Sequence, residues 1–218
     1  MPDLYSVPAA THSVMITLPR LYGILDFSCF SDIDALTACA DELVRGGLTL
    51  LQYRNKSGNA KAMLEHANAL RQRFAARAKL IMNDRADLCL AAQFDGVHVG
   101  QDDLSPESVR RIIGPDRCLG VSTHNPEQLA AADATSADYL AIGPVFATSS
   151  KEKPDPVVGV DGVRRARALT SKPLVAIGGI TRANARSVID AGADSVAVIS
   201  DLLIAPHKSA EEFFRILR

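Results

Sequence analysis

The sequence lacks an excess of charge of either sign. Its 24 lysines and arginines are matched by 25 aspartates and glutamates, and the formal net charge is −1. Nucleic-acid binding requires a clustered basic surface, so the sequence predicts no nucleic-acid partner. Phosphate binding stays open, because it depends on local groups and not on net charge.

Paired cysteines and long apolar runs are also missing. Cys29, Cys39, Cys89 and Cys118 form no C-x-x-C pair, which favours reduced, mostly buried thiols over disulfides. No run of about 18 apolar residues occurs, so no membrane span is predicted. The first residues lack the basic start and apolar stretch of a signal peptide, and we expect a cytoplasmic location.

What the chain does contain is a series of short apolar, β-branched runs separated by helical patterns. Runs that are apolar on both faces are typical of strands buried beneath helices. The expected strands are Arg20–Phe27, Leu48–Arg54, Leu80–Asp84, Gly96–Val99, Cys118–Ser122, Tyr139–Gly143, Leu174–Gly178 and Ser195–Ser200.

The segments between these runs carry helix signals. Ile33–Arg45 and Ala60–Ala76 place apolar residues on one stripe, as helices packed on a sheet do. Ser105, Asn125 and Thr181 stand at predicted helix starts, where their side chains can cap free N–H groups.

Eight strands, each followed by a helix, predict parallel pairing with right-handed crossovers. The predicted fold is α/β, a single (β/α)₈ TIM barrel, and a doubly wound open sheet is the main alternative. Residues 20–218 are the predicted barrel domain. Residues 1–19 are a predicted N-terminal extension, either an extra helix or a loose tail.

Polar side chains follow the second predicted strand. Gln52, Arg54 and Lys56 alternate along the chain, which puts them on one side of the strand. In a barrel that side faces the mouth, where the loops after the strands build the active site. Two cations and an amide suit a diphosphate; a solvated basic loop is the competing interpretation.

Two carboxylates follow the next strands. Asp84 comes directly after Asn83 at the end of strand three, and Asp103 follows strand four. Neighbouring strand ends can share one hard cation, and Mg²⁺ prefers oxygen ligands. Taken singly, Asp84 is better explained as a helix cap and Asp103 as part of a surface turn; the cations opposite favour the metal site.

Strands five, seven and eight end in groups that suit substrate binding. Ser122 and His124 stand at the end of strand five, where the serine can donate a hydrogen bond. The histidine can act as an acid or base, and a cap or surface residue is the competing interpretation. Gly178-Gly179 after strand seven and Ser200 after strand eight fit a phosphate cup. His98, inside an apolar strand, is predicted to be a core residue.

Taken together, these strand ends resemble the thiamine-phosphate synthase family. The similarity runs in order from about Arg20 to Ser200. The motifs that carry it are Gln52-x-Arg54-x-Lys56, Asn83-Asp84, His98-x-Gly100-Gln101-x-Asp103, Gly120-Val121-Ser122-x-His124, Gly143-Pro144-x-Phe146 to Lys151, and Ile177-Gly178-Gly179-Ile180.

The resemblance implies an enzyme, a transferase that joins hydroxymethylpyrimidine diphosphate to hydroxyethylthiazole phosphate and releases pyrophosphate. Its implied contacts to the pyrimidine diphosphate are Gln52, Arg54, Lys56, Asn83, Ser122 and Lys151. Its implied Mg²⁺ ligands are Asp84 and Asp103. Its implied contacts to the thiazole phosphate are Thr148, Ser150, Gly179, Ile199 and Ser200. Its implied catalytic residues are Arg54, Lys56, Ser122 and Lys151.

The sequence departs from the family pattern at three positions, and two other functions are compatible with it. Asn55 stands where the family usually has an acid, and we expect its side chain to point away from Arg54 and Lys56. Ala147 and Ser150 alter the loop after strand six. A thiazole tautomerase, which would use His124, and a phosphometabolite sensor are the alternatives. The partners are small molecules, and the sequence does not decide whether the chain forms a homo-oligomer.

Overall fold

The computed structural model describes residues 18–148 and 155–218. Its strands form one closed parallel barrel in chain order, and β1 closes the barrel on β8 through the pairing of Leu21 with Val196. The strands are β1 (Leu21–Asp26), β2 (Leu50–Arg54), β3 (Lys79–Asn83), β4 (Gly96–Val99), β5 (Cys118–Thr123), β6 (Tyr139–Ile142), β7 (Leu174–Ile177) and β8 (Ser195–Val198). The predicted TIM barrel is therefore confirmed, and the open sheet is excluded.

Helices alternate with the strands and cover the outside of the barrel. Within the described ranges they are α1 (Ile33–Arg45), α2 (Ala60–Phe74), α3 (Ala86–Ala91), α4 (Pro106–Ile113), α5 (Pro126–Asp133), α6 (Gly159–Leu169), α7 (Ala185–Asp190), α8 (Ser200–Leu203) and α9 (Pro206–Ile216). None of these helices has the length and apolar character needed to cross a membrane. The predicted N-terminal extension lies almost wholly outside the described residues.

Two of the three predicted helix caps are confirmed. The Asn125 side chain accepts a hydrogen bond from the Gln128 amide at 2.8 Å, and Ser105 caps α4 in the same way. The prediction for Thr181 is wrong, since α7 begins only at Ala185. The reason is tertiary: Asp201 accepts hydrogen bonds from the Arg182 amide and guanidinium, which ties this segment to α8.

The strand pleat divides the apolar residues into two layers. One layer packs between the sheet and the helices, and the other fills the barrel interior. The interior layer consists of Tyr22, Ile24, Leu50, Ile81, Cys118, Tyr139, Ala141, Val175 and Ala197. Small residues make room for the large ones, since a Cβ atom on Gly120 would lie 2.1 Å from the Tyr139 ring. The same alternation brings the last inward residue of each strand to the mouth.

Candidate active site

Arg54 forms an ion pair with Asp26 across the ends of β1 and β2. The two residues are register partners, and they share the inward face with Tyr22 and Leu50. Asp26 is buried and also accepts hydrogen bonds from Ser28. The buried carboxylate thus orients the Arg54 guanidinium at the mouth. Sequence reasoning missed Asp26, although an acid at the end of an apolar strand was a signal that could have found it.

Gln52 and Lys56 lie on either side of this pair. The Gln52 amide is buried one layer below and donates to the Tyr22 hydroxyl at 2.8 Å. Lys56 is exposed, and its ammonium forms an ion pair with Asp84. The predicted face of β2 therefore does run from the barrel interior to the mouth.

Asn55 turns the other way. Its side-chain amide donates to the Tyr53 hydroxyl at 3.0 Å and its oxygen accepts from the Ser57 amide at 2.9 Å. Tyr53 belongs to the layer between sheet and helices. The expectation that Asn55 points away from Arg54 and Lys56 is confirmed.

Asp84 and Asp103 bring two carboxyl groups into hydrogen-bonding contact. Burial and the neighbouring Asp103 raise the pKa of Asp84, while Lys56 opposes this shift. Asp103 is held by the Gly100 amide at 2.8 Å, and Asp84 has a φ of 63°, a conformation that aspartate and asparagine tolerate better than most residues. Two acids this close are stabilised by a shared cation.

This donor set fits Mg²⁺. The ion takes one or two protein carboxylates and completes its shell with waters and substrate phosphates. In residues 18–148 and 155–218, no group of three or more His, Cys, Asp or Glu side chains is arranged to hold a metal. These residues therefore form no metal centre built from several thiolates or imidazoles. The assignment of Mg²⁺ to Asp84 and Asp103 stays a prediction.

Asn83 presents an unused donor beside this pair. Its side chain is buried, and its amide nitrogen has no hydrogen-bond partner among the described residues. Leaving such a donor unpaired costs about 1–3 kcal/mol. A substrate acceptor at the mouth would satisfy it.

Four residues link the barrel interior to the end of β5. The Tyr22 and Tyr139 hydroxyls lie 3.1 Å apart, and Tyr139 is 2.9 Å from His98 Nδ1. His98 Nε2 lies 2.8 Å from the Ser122 hydroxyl. His98 is thus a buried residue with both nitrogens engaged, as predicted, and burial lowers its pKa to about 4.

The lowered His98 pKa predicts a pH-dependent stability. An unfolded histidine binds a proton near pH 6.5, whereas folded His98 stays neutral until about pH 4. The stability is full above pH 6.5 and is lost as the pH falls toward 4. Between pH 7 and pH 5, we expect wild type to lose about 2 kcal/mol more unfolding free energy than His98→Gln.

Urea denaturation of both proteins at several pH values checks this expectation. His66 also has a pKa lowered by burial, but it is present in both proteins and cancels in the difference. Parallel stability curves for the two proteins would contradict the buried, neutral state of His98.

His124 is held at the outer side of β6. Its Nδ1 bonds the Gly143 carbonyl at 2.6 Å, and its Nε2 lies 3.5 Å from Asp155. It lines a cavity of about 250 Å³ whose other walls come from α5, α6 and residues 155–158. These contacts favour a structural role that ties β5 to the end of the loop after β6.

The loops after β6 and β7 run side by side at the mouth. The Val145 amide donates to Ile177 at 2.9 Å, and the Phe146 amide donates to Gly178 at 3.0 Å. Gly179 has a φ of 63°, and a Cβ atom there would lie 2.4 Å from the Ala147 carbonyl oxygen. Only glycine fits this approach, which brings the loop that carries Thr148 against the turn at Gly179.

The remaining predicted thiazole phosphate contacts lie in two places. Ile199 is half-buried, directly after β8, and Ser200 is the exposed first residue of α8. Ser150 and Lys151 fall outside the described residues. Their roles stay predictions.

Comparison with known proteins places the chain in a family. The family model for thiamine monophosphate synthase matches residues 21–202. The chain belongs to the thiamine monophosphate synthase family. The match spans all eight strands, so it includes every described strand end that contributes to the mouth.

Similar proteins cover nearly the whole chain. A thiamine-phosphate synthase of Koribacter versatilis is 62% identical over 93% of this chain and 97% of its own length. One of Chloroflexus aurantiacus is 45% identical over 88% of both chains. The solved thiamine phosphate pyrophosphorylase of Pyrococcus furiosus is 33% identical, with a TM-score of 0.81 over 91% of this chain and 95% of that one.

At the mouth of the barrel, the structure brings most of the predicted site residues together. Arg54, Lys56, Asn83, Asp84 and Asp103 end adjacent strands or follow them directly. Gln52 and Ser122 are joined to each other through the barrel interior. That connection, together with Asp26, is what sequence reasoning missed.

Proposed function

We propose that the chain is a thiamine-phosphate synthase, which joins hydroxymethylpyrimidine diphosphate to hydroxyethylthiazole phosphate and releases pyrophosphate. The observation that carries the proposal is the mouth itself: Lys56 forms an ion pair with Asp84, which contacts Asp103, and Arg54 ends the neighbouring strand β2 in an ion pair with Asp26. A tautomerase or a sensor has no need of this combination. The identity of 62% to a synthase supports the same reaction.

The cations at the mouth act on the leaving group. When the bond between the pyrimidine methylene and the diphosphate oxygen breaks, its electron pair leaves with pyrophosphate. Arg54 and Lys56, with Lys151 from the loop after β6, stabilise the negative charge that develops. The carbon left electron-poor is attacked by the thiazole nitrogen, so no nucleophilic side chain is required.

The polar residues around these cations orient the first substrate. The Asn83 amide nitrogen has no partner among the described residues, and Ser122 has a hydroxyl near the end of β5. Asp84 and Asp103 would hold Mg²⁺, which supplies further positive charge against a diphosphate. Asp26 keeps the Arg54 guanidinium from swinging away from the mouth.

The second substrate lies across the mouth. Thr148, Ser150, Gly179, Ile199 and Ser200 are the proposed contacts of its phosphate. Gly179 offers a backbone N–H without a side chain in the way.

All four cysteines are free thiols, which supports the cytoplasmic location that we propose.

The test is pyrophosphate release by the purified protein with Mg²⁺ and both phosphorylated heterocycles. We expect release only when all three are present, with thiamine phosphate formed in equal amount. Reactions that omit each component are the controls. No release from folded protein, together with isomerisation of the thiazole that His124→Ala abolishes, would contradict the synthase and indicate the tautomerase.

A further inference from the structure

We propose that the barrel interior holds one directed chain of hydrogen bonds, from Gln52 through Tyr22, Tyr139 and His98 to Ser122, that turns the Ser122 hydroxyl hydrogen toward the mouth. His98 and Tyr139 are then positioning residues, which act on the substrate only through Ser122. This hydrogen-bond chain is inferred from geometry alone. Its role in the reaction rests on the proposed function.

The geometry is continuous from one end to the other. Successive polar atoms are separated by 2.8 Å (Gln52 to Tyr22), 3.1 Å (Tyr22 to Tyr139), 2.9 Å (Tyr139 to His98 Nδ1) and 2.8 Å (His98 Nε2 to Ser122). All members except Ser122 are buried. The first three links are therefore shielded from competing water.

The Gln52 amide sets the direction. Its nitrogen can only donate, so the Tyr22 oxygen accepts and the single Tyr22 hydrogen goes to Tyr139. Tyr139 in turn donates to His98 Nδ1. A neutral imidazole carries one hydrogen, so His98 is protonated at Nε2 and donates to Ser122.

The reverse direction would leave a donor without a partner. If Ser122 donated to His98, the hydrogens would run back through Tyr139 and arrive at the Tyr22 oxygen, which already accepts from Gln52. The hydroxyl hydrogen of Tyr22 would then have no acceptor among the members of the hydrogen-bond chain, which is unfavourable for a fully buried hydroxyl.

The protonation states needed for this order are those that burial favours. His98 is buried and its Nδ1 accepts from Tyr139, so the imidazole carries a single hydrogen, on Nε2. Burial raises the pKa of both Tyr22 and Tyr139 well above the ordinary tyrosine value, so both hydroxyls keep their hydrogens.

The consequence concerns what Ser122 offers a substrate. Its oxygen accepts from His98, so its own hydrogen is available at the mouth. Such a hydroxyl donates to an acceptor such as an anionic oxygen of the pyrimidine diphosphate. A serine with its hydrogen held by the histidine would offer only lone pairs, which an anion repels.

The chain is tested first by the histidine tautomer. In protein labelled with ¹⁵N in the imidazole rings, we expect the His98 signals, assigned by their loss in His98→Gln, to show a hydrogen on Nε2. Tyr139→Phe removes the donor to Nδ1 and should shift these signals.

Tyr53→Phe is the matched control. Tyr53 is another buried tyrosine, and its hydroxyl lies 2.8 Å from Nδ1 of a different histidine, His66. This variant should shift the His66 signals and leave those of His98 in place. A wild-type His98 with its hydrogen on Nδ1, or one unaffected by Tyr139→Phe, would overturn the directed chain.

The positioning role is tested by a double-mutant cycle on kcat/KM for hydroxymethylpyrimidine diphosphate. We expect Tyr139→Phe and Ser122→Ala each to lower kcat/KM about tenfold, as loss of a hydrogen bond to a charged group does. The double variant should be no worse than Ser122→Ala alone, and Tyr53→Phe should match wild type. Independent, multiplying effects, or full activity of Tyr139→Phe, would overturn the role of Tyr139.

The two tests separate this inference from the proposed function. A folded wild-type protein without synthase activity would overturn the proposed function and the positioning role with it. The imidazole spectra would still show whether the hydrogen bonds run in the proposed direction, because this measurement needs no substrate.

Discussion

Replacing Asp84 or Asp103 by asparagine is expected to lower Mg²⁺-dependent turnover at least about 100-fold. The reason is that the amide keeps the size of the side chain and removes the charge that a cation needs. Asparagine is the suitable change at position 84, because it tolerates the positive φ of 63° found there. Alanine would add backbone strain to the loss of the ligand. Steady-state kinetics at several Mg²⁺ concentrations measure the effect.

The same variants should not lose stability in the absence of Mg²⁺. Burial and Asp103 already disfavour the charged form of Asp84, so a neutral side chain relieves an unfavourable interaction. Mg²⁺ stabilises only a folded protein that binds it. We therefore expect Mg²⁺ to raise the melting temperature of wild type more than that of either variant.

Asp102→Asn is the matched control for both measurements. Asp102 is the exposed neighbour of Asp103, and its replacement makes the same change in net charge. It should respond to Mg²⁺ as wild type does. Full turnover of wild type in excess EDTA, or equal losses in Asp102→Asn and Asp103→Asn, would defeat the assignment of the metal ligands.

The positions of the strands could be predicted because their signal is local. Apolar β-branched runs bounded by helix patterns occur at every strand, and β4 begins and ends where predicted. Barrel closure followed from the number of such runs. The ends of the elements could not be predicted from local patterns, because tertiary contacts such as that of Arg182 with Asp201 decide where a helix like α7 begins.

The residues at the mouth could be predicted for a related reason. In a parallel barrel all strands end on the same side. Residues that follow predicted strands are therefore expected to lie close together in space. Arg54, Asn83, Asp84 and Asp103 needed no knowledge of distant contacts. Ser150 and Lys151 stay predictions, because they lie outside the described residues.

Connections across the barrel interior could not be predicted in this way. Tyr22 and Tyr139 are 117 residues apart in sequence, and His98 and Ser122 are 24 apart. Which inward side chains meet depends on the register of the strands and on small residues such as Gly120, which leaves room for Tyr139 and His98. No local pattern contains that information. Asp26 did carry a local signal, as an acid at the end of an apolar strand, but its pairing with Arg54 depends on the strand register.

Because Arg54 is paired with Asp26, replacing it should affect both catalysis and stability. We expect Arg54→Gln to lower the single-turnover rate of pyrophosphate release by about 100-fold, because one charge that stabilises the leaving group is lost. It should also lower the unfolding free energy by about 3 kcal/mol, because the carboxylate of Asp26 is left buried without its counter-charge. Rapid-quench kinetics and urea denaturation measure the two effects.

The double variant Asp26→Asn/Arg54→Gln separates catalysis from folding. Neutralising Asp26 removes the unpaired buried charge, so most of the lost stability should return. The leaving group still lacks the guanidinium, so the rate should stay low. If the double variant recovered its rate together with its stability, Arg54 would act by maintaining the fold, and charge stabilisation would pass to Lys56 and Lys151 alone.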